Sequence, residues 1–150
     1  MKKYLFLWVV LLSGCSSNEP EIDKTYPEIS TQGMFPQPCA VLERGKTHTF
    51  TVTFSDNREL GSFNFDIHNN FNHHNHSTSE GTCAEDPLKA PVNPFLLIKS
   101  GDIPAGNTQY TANVPVTVPA DVDEGDYHFA VGVTDKTGWQ TIKTMSIKIK

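Results

Sequence analysis

Asp123-Glu124-Gly125-Asp126-Tyr127-His128-Phe129 is the stretch on which the reading of this 150-residue chain turns. Its Asp and Gly residues are turn formers. From Tyr127 onward the residues alternate, with Tyr127, Phe129, Val131 and Val133 on one side and His128 on the other, the period of a half-buried strand. Working outward, Thr134-Asp135-Lys136-Thr137-Gly138 supplies a hairpin turn into a strand over residues 141–149. Upstream, residues 48–55 set Phe50, Val52 and Phe54 against Thr49, Thr51 and Thr53, and residues 62–68 set Phe63, Phe65 and Ile67 against Asn64, Asp66 and His68. A further strand is expected over 110–118. No stretch shows a 3.6-residue period, so the chain reads as all-β, a sandwich or a barrel.

The same seven residues choose between the two. They are similar to the D-x-G-x-Y-x-C stretch of immunoglobulin domains, where a corner tyrosine precedes an inward residue of strand F by two positions. Phe129 stands where that pattern has its cysteine, so the usual inter-sheet disulfide is not expected. Residues 48–55 then read as strand B, 62–68 as C, 110–118 as E, 127–134 as F and 141–149 as G. The expected fold is an immunoglobulin-like β-sandwich with a long His-rich insertion, residues 69–108, between C and E.

The N-terminus carries a different kind of signal. Lys2 and Lys3 precede an apolar run over residues 4–12 that is too short to cross a bilayer as a helix, and Leu12-Ser13-Gly14-Cys15 places small residues before a cysteine. This resembles the lipobox of bacterial lipoproteins, which implies removal of residues 1–14, lipidation of Cys15, and a chain anchored to the outer membrane of the bacterial envelope, periplasmic or surface-exposed. Residues 15–25 read as a flexible tether, with Glu19, Glu21 and Asp23 somewhat like acidic surface-export signals, and 26–150 as the folded domain. Losing Lys2 and Lys3 takes the basic count from 12 to 10 against 17 acidic residues, a net charge of −7. An acidic domain without a Lys/Arg run is a poor partner for nucleic acid. With Cys15 assigned to the lipid, Cys39 and Cys83 remain as a pair in an oxidising compartment and are expected to form a disulfide; neither sits in the closely spaced pairs that thiolate metal sites use.

The insertion opens Asn69-Asn70-Phe71-Asn72-His73-His74-Asn75-His76, so with His68 four of the chain's six histidines fall within nine residues. Asp66 and His68 share the face of strand C opposite its phenylalanines, and His128 points outward from strand F. C and F are neighbours in an immunoglobulin-like sheet, so His68 and His128 are expected side by side, with the loop folded over them. His68, His73, His74, His76 and His128, with Asp66, are therefore the candidate ligands of a transition metal, zinc or copper. A polar, Asn-rich loop also has the simpler reading of a solvated connection; His128, remote in sequence, is what tips the balance. His48, among the threonines of strand B, is not expected to join, and Phe71 reads as an anchor for the loop. Asp121, Asp123, Glu124 and Asp126 read as turn residues rather than calcium ligands. No Ser/His/Asp or Cys/His set, phosphate loop or HExxH helix is present, and no enzymatic role is expected. The alternative to metal binding is a protein- or glycan-interaction module with an incidental His-rich loop.

Arg44-Gly45, Phe54-Ser55-Asp56 leading to Glu59-Leu60-Gly61-Ser62, Asp66-Ile67-His68, the His73-His74-x-His76 run, Gly125 to Phe129 and Gly138-Trp139 together resemble an uncharacterised family of immunoglobulin-like bacterial lipoproteins, domain of unknown function 4625. The resemblance implies an envelope lipoprotein and carries no biochemical activity.

Overall fold

The computed structural model describes residues 21–80 and 83–150, so the export signal and Cys15 lie outside the described residues. Among the described residues nine strands occur in chain order: β1 (Glu28–Phe35), β2 (Val41–Leu42), β3 (Thr47–Ser55), β4 (Leu60–Asn69), β5 (Ser79–Glu80), β6 (Leu97–Asp102), β7 (Gln109–Thr117), β8 (Gly125–Asp135) and β9 (Gln140–Ile149). They form a three-stranded sheet in the order β1-β3-β7 and a larger sheet in the order β2-β9-β8-β4-β6, with β5 also paired to β9. In immunoglobulin lettering, B lies beside E in one sheet, and G, F and C are neighbours in the other. This is the order expected of an immunoglobulin-like sandwich.

The alternation in the sequence builds the core. Phe50, Val52 and Phe54 of β3 and Ala112, Val114 and Val116 of β7 face Phe63, Phe65 and Ile67 of β4, Tyr127, Phe129, Val131 and Val133 of β8 and Met145, Ile147 and Ile149 of β9, all buried. Phe50, Phe65 and Phe129 meet across the two sheets at ring-centroid distances of 5.0–6.2 Å, within the range in which tilted aromatic pairs attract. Outside, threonines pair across β3 and β7, Thr47 with Thr117 at 2.8 Å and Thr53 with Thr111 at 2.9 Å. Pro115, which cannot donate to a ladder, lies on β7 at the sheet's edge.

The corner tyrosine behaves as its sequence context implies. The Tyr127 hydroxyl donates to the Asp123 carbonyl at 2.7 Å and accepts from Phe95 N at 3.1 Å. The nearby acidic residues act as turn anchors: one Asp123 carboxylate oxygen accepts from Val92 N at 2.7 Å and Asn93 N at 2.8 Å, and those bonds hold its pKa below the usual carboxylate value. At the β8–β9 hairpin, Asp135 Oδ1 accepts from the backbone N–H groups of Thr137, Gly138 and Trp139.

Two features go beyond the sequence reading. The insertion 69–108 carries two strands of its own: β6 pairs along the outer edge of β4 and β5 pairs with β9. The described part of the tether does not hang free. Asp23 is 5 % exposed; its carboxylate accepts from Thr25 N at 3.0 Å, and its carbonyl accepts from Trp139 Nε1 at 2.9 Å. Polar anchoring of this kind leaves no hydrophobic period to read.

Candidate metal centre

β4 and β8 are the central strands of the larger sheet, and their register pairs Phe65 with Val131, Ile67 with Phe129 and His68 with His128. Residues that pair inward on the core therefore carry two histidines, side by side, on the outer face. The loop after β4 then doubles back over them. Asn70 N donates to the Asp126 carbonyl at 2.8 Å, and Phe71 is buried against Tyr127 at a ring-centroid distance of 5.3 Å. Farther on, Thr144 N donates to the Thr78 carbonyl at 3.0 Å. The Cys39–Cys83 disulfide, with Cα atoms 5.6 Å apart, fixes the far end of the loop. Between these anchors His74 and His76 come down onto the sheet.

His68, His74, His76 and His128 each offer a ring nitrogen, and the four nitrogens lie within 4.8 Å of one another. All six pairs of these rings have centroid distances between 4.8 and 5.6 Å, so the rings stand close to the corners of a regular tetrahedron. Four imidazoles bound to a tetrahedral zinc at the usual Zn–N length would have centroids about 5.2 Å apart and ligating nitrogens about 3.3 Å apart. The Nε2 atoms of His68 and His76 are 3.1 Å apart.

Neighbouring groups fix the tautomers that matter. Asp66 Oδ1 accepts from His68 Nδ1, which leaves the Nε2 lone pair of His68 facing the cluster. Asn72 Oδ1 accepts from His74 Nδ1 at 2.7 Å and leaves that ring's Nε2 free in the same way. A carboxylate or amide on the outer nitrogen is how metal-ligating histidines are commonly oriented. His128 is 2 % exposed, and its Nδ1 is buried without a hydrogen-bond partner. Burial first, then the like charge of His76, His74 and His68, pushes its pKa down to about 4. The pKa of His74 is lowered for the same reasons, burial being the larger. At neutral pH both rings are neutral, the form a metal requires.

Two of the residues singled out in the sequence play other parts. Asp66 is an orienting partner of His68 and is not among the four clustered side chains. His73 adopts a left-handed backbone, φ 55°, which turns it away from the cluster: its Nε2 donates to the Asp86 carbonyl at 2.9 Å and its Nδ1 lies 3.3 Å from Glu85. His48 sits in the other sheet, where its Nε2 accepts from Glu43 N at 3.1 Å. Asn72 is a positioning residue that the sequence did not single out. Its spacing two residues before His74 was the available signal. Beside the cluster, His128, Ser146, Asn70 and Asn75 line a polar cavity of about 220 Å³.

No curated protein matches the chain. The family described as domain of unknown function DUF4625 matches residues 13–150, and the chain belongs to that family.

Proposed function

We propose that this protein is a lipid-anchored envelope protein whose sandwich domain binds one transition-metal ion through His68, His74, His76 and His128, with Asp66 and Asn72 orienting two of the four rings. The near-tetrahedral arrangement of the imidazoles, drawn from two strands and one loop, carries this reading. Tetrahedral nitrogen donors suit zinc better than copper(II), which favours a tetragonal site. Four protein ligands would fill a tetrahedral shell and leave no open position for substrate, so the centre binds or staples and does not catalyse. The Leu12-Ser13-Gly14-Cys15 stretch supports attachment through Cys15, and a disulfide suits an oxidising compartment.

The test is metal content by mass spectrometry on protein purified without a His tag or chelator, followed by calorimetric titration with zinc and with copper. One equivalent of bound zinc is expected. His128→Ala and His68→Ala should abolish it, and His48→Ala should leave it unchanged. Equal loss in all three variants would overturn the geometric argument. Absence of metal with only weak titration would favour the interaction-module reading instead.

A further inference from the structure

A second group of metal-binding character lies at the opposite end of the sandwich. Asp135 is seven residues along β8 from His128, roughly 23 Å at the rise of an extended strand. There the β3–β4 turn, the β8–β9 hairpin and the N-terminal segment converge, and Asp23, Asp56 and Asp135 each place a carboxylate oxygen within 4.8 Å of the other two. Each carboxylate is held by other bonds. Asp23 Oδ1 accepts from Thr25 N at 3.0 Å and Asn57 Nδ2 at 3.2 Å. Asp56 Oδ2 accepts from Arg58 N at 2.9 Å, and Asp135 Oδ1 takes three backbone N–H groups of its own hairpin.

The oxygens left over make the arrangement unusual. The Asp23 side chain is 0 % exposed, yet its Oδ2 accepts no hydrogen bond, and neither does the buried Oδ1 of Asp56. A buried carboxylate oxygen with no donor is costly, and three carboxylates facing one another are more so. Arg58 offers limited relief, since its Nε stands 3.9 Å from Asp23 Oδ2, beyond hydrogen-bonding reach, on a side chain 44 % exposed. Three carboxylates against that guanidinium leave a charge of about −2, which a divalent cation would neutralise. The donors are all oxygen, which selects a hard cation and distinguishes this group from the imidazole cluster.

We propose that Asp23, Asp56 and Asp135 form a calcium site that locks the N-terminal segment onto the end of the sandwich. Asp23 follows Cys15 by only eight positions in sequence, so calcium would fix the start of the domain close to any anchor placed there. Magnesium, which demands a tighter octahedral shell and gives up its waters reluctantly, is the poorer fit to three carboxylates fixed by their own hydrogen bonds.

The test uses the full chain, purified untagged in detergent, dialysed against metal-free buffer and titrated calorimetrically with calcium chloride, with trypsin cleavage after Lys24 as an independent readout. One equivalent of calcium is expected, with a Kd of about 1 mM or tighter, the range of extracellular calcium modules. Cleavage after Lys24 should slow about tenfold when calcium is bound, as expected of a segment that must open to be cut. Asp23→Asn, which leaves every strand untouched, and Asp56→Asn should each weaken calcium binding at least about tenfold. Arg58→Gln should tighten it. His68→Ala should leave it unchanged, which separates this proposal from the zinc reading. No heat up to about 10 mM calcium, tenfold weaker than that range, or an unaltered Kd in both Asp→Asn variants, would overturn the proposal. Magnesium binding as tight as calcium would overturn the choice of ion.

Discussion

Replacing His128 by leucine in the metal-free protein should flatten the acid limb of its stability curve. A free histidine protonates near pH 6.5, whereas His128 in the folded protein resists protonation until about pH 4 because it is buried among three other imidazoles. Between those values the unfolded chain binds a proton that the folded chain does not. Stability is therefore full above about pH 6.5, falls as pH drops below it, and stops falling on this account near pH 4. One pKa unit corresponds to about 1.4 kcal/mol, so acidifying from about pH 7.5 to 4.5 should cost about 2–3 kcal/mol through this residue. That is a large fraction of the marginal stability of a small domain. The assay is urea unfolding with chelator at half-unit pH steps, on the wild type and on His128→Leu. The variant should lose about 2–3 kcal/mol less than the wild type over that interval. Equal slopes in the two proteins would refute the assignment of a buried, neutral His128. With zinc saturating, wild-type stability should fall more steeply, since every ligating imidazole must lose its metal to take a proton.

Three other perturbations test the supports of the site. Replacing Cys39 and Cys83 by serine opens a loop spanning 44 positions in sequence; chain entropy puts the loss at about 4 kcal/mol, read from urea unfolding with m fitted separately for each protein, since the opened chain unfolds to a larger surface. Phe71→Ala removes the buried ring that pins the His loop to Tyr127, at about 3–5 kcal/mol, and should weaken zinc binding measured by calorimetry. Gly101→Ala places a Cβ 2.6 Å from two ring atoms of Phe63. That ring is held by Phe54, Phe65 and Tyr110 and cannot swing aside cheaply, so a loss of about 1–3 kcal/mol is expected in thermal unfolding.

The sandwich was legible where alternation was clean. β4 and β8 each present an unbroken apolar face, so their hydrophobic period sets their register, and that register makes His68 and His128 partners. β1 was not legible, because Gly33 at φ 70° and a register shift between Ser30 and Phe35 break its period. β6 was missed for another reason: as an edge strand it leaves Ile98 exposed and buries little, so it has no apolar face to read. Within the site, spacing gave the neighbourhood but not the atoms. Two residues apart on one face, Asp66 reaches the outer nitrogen of His68 and orients it. In the loop, a single left-handed residue sends His73 to Glu85 and leaves its neighbour in the cluster. The aspartate trio is assembled from a tether and two turns, and nothing local in any of the three distinguishes it from ordinary turn chemistry.

The outer edge of β9 would otherwise present a long row of unpaired backbone groups. It is covered instead by two short parallel strands, β2 at Lys148 and Ile149 and β5 at Thr144 and Met145. Cys39 lies just before β2 and Cys83 just after β5, so one disulfide clasps both covers. Neither two-residue strand has much hold of its own, and an uncovered edge is a template for pairing with another chain. Reduction should therefore show itself first as self-association, with the sandwich still folded. A protein built this way is safe from aggregation only where its cysteines stay oxidised.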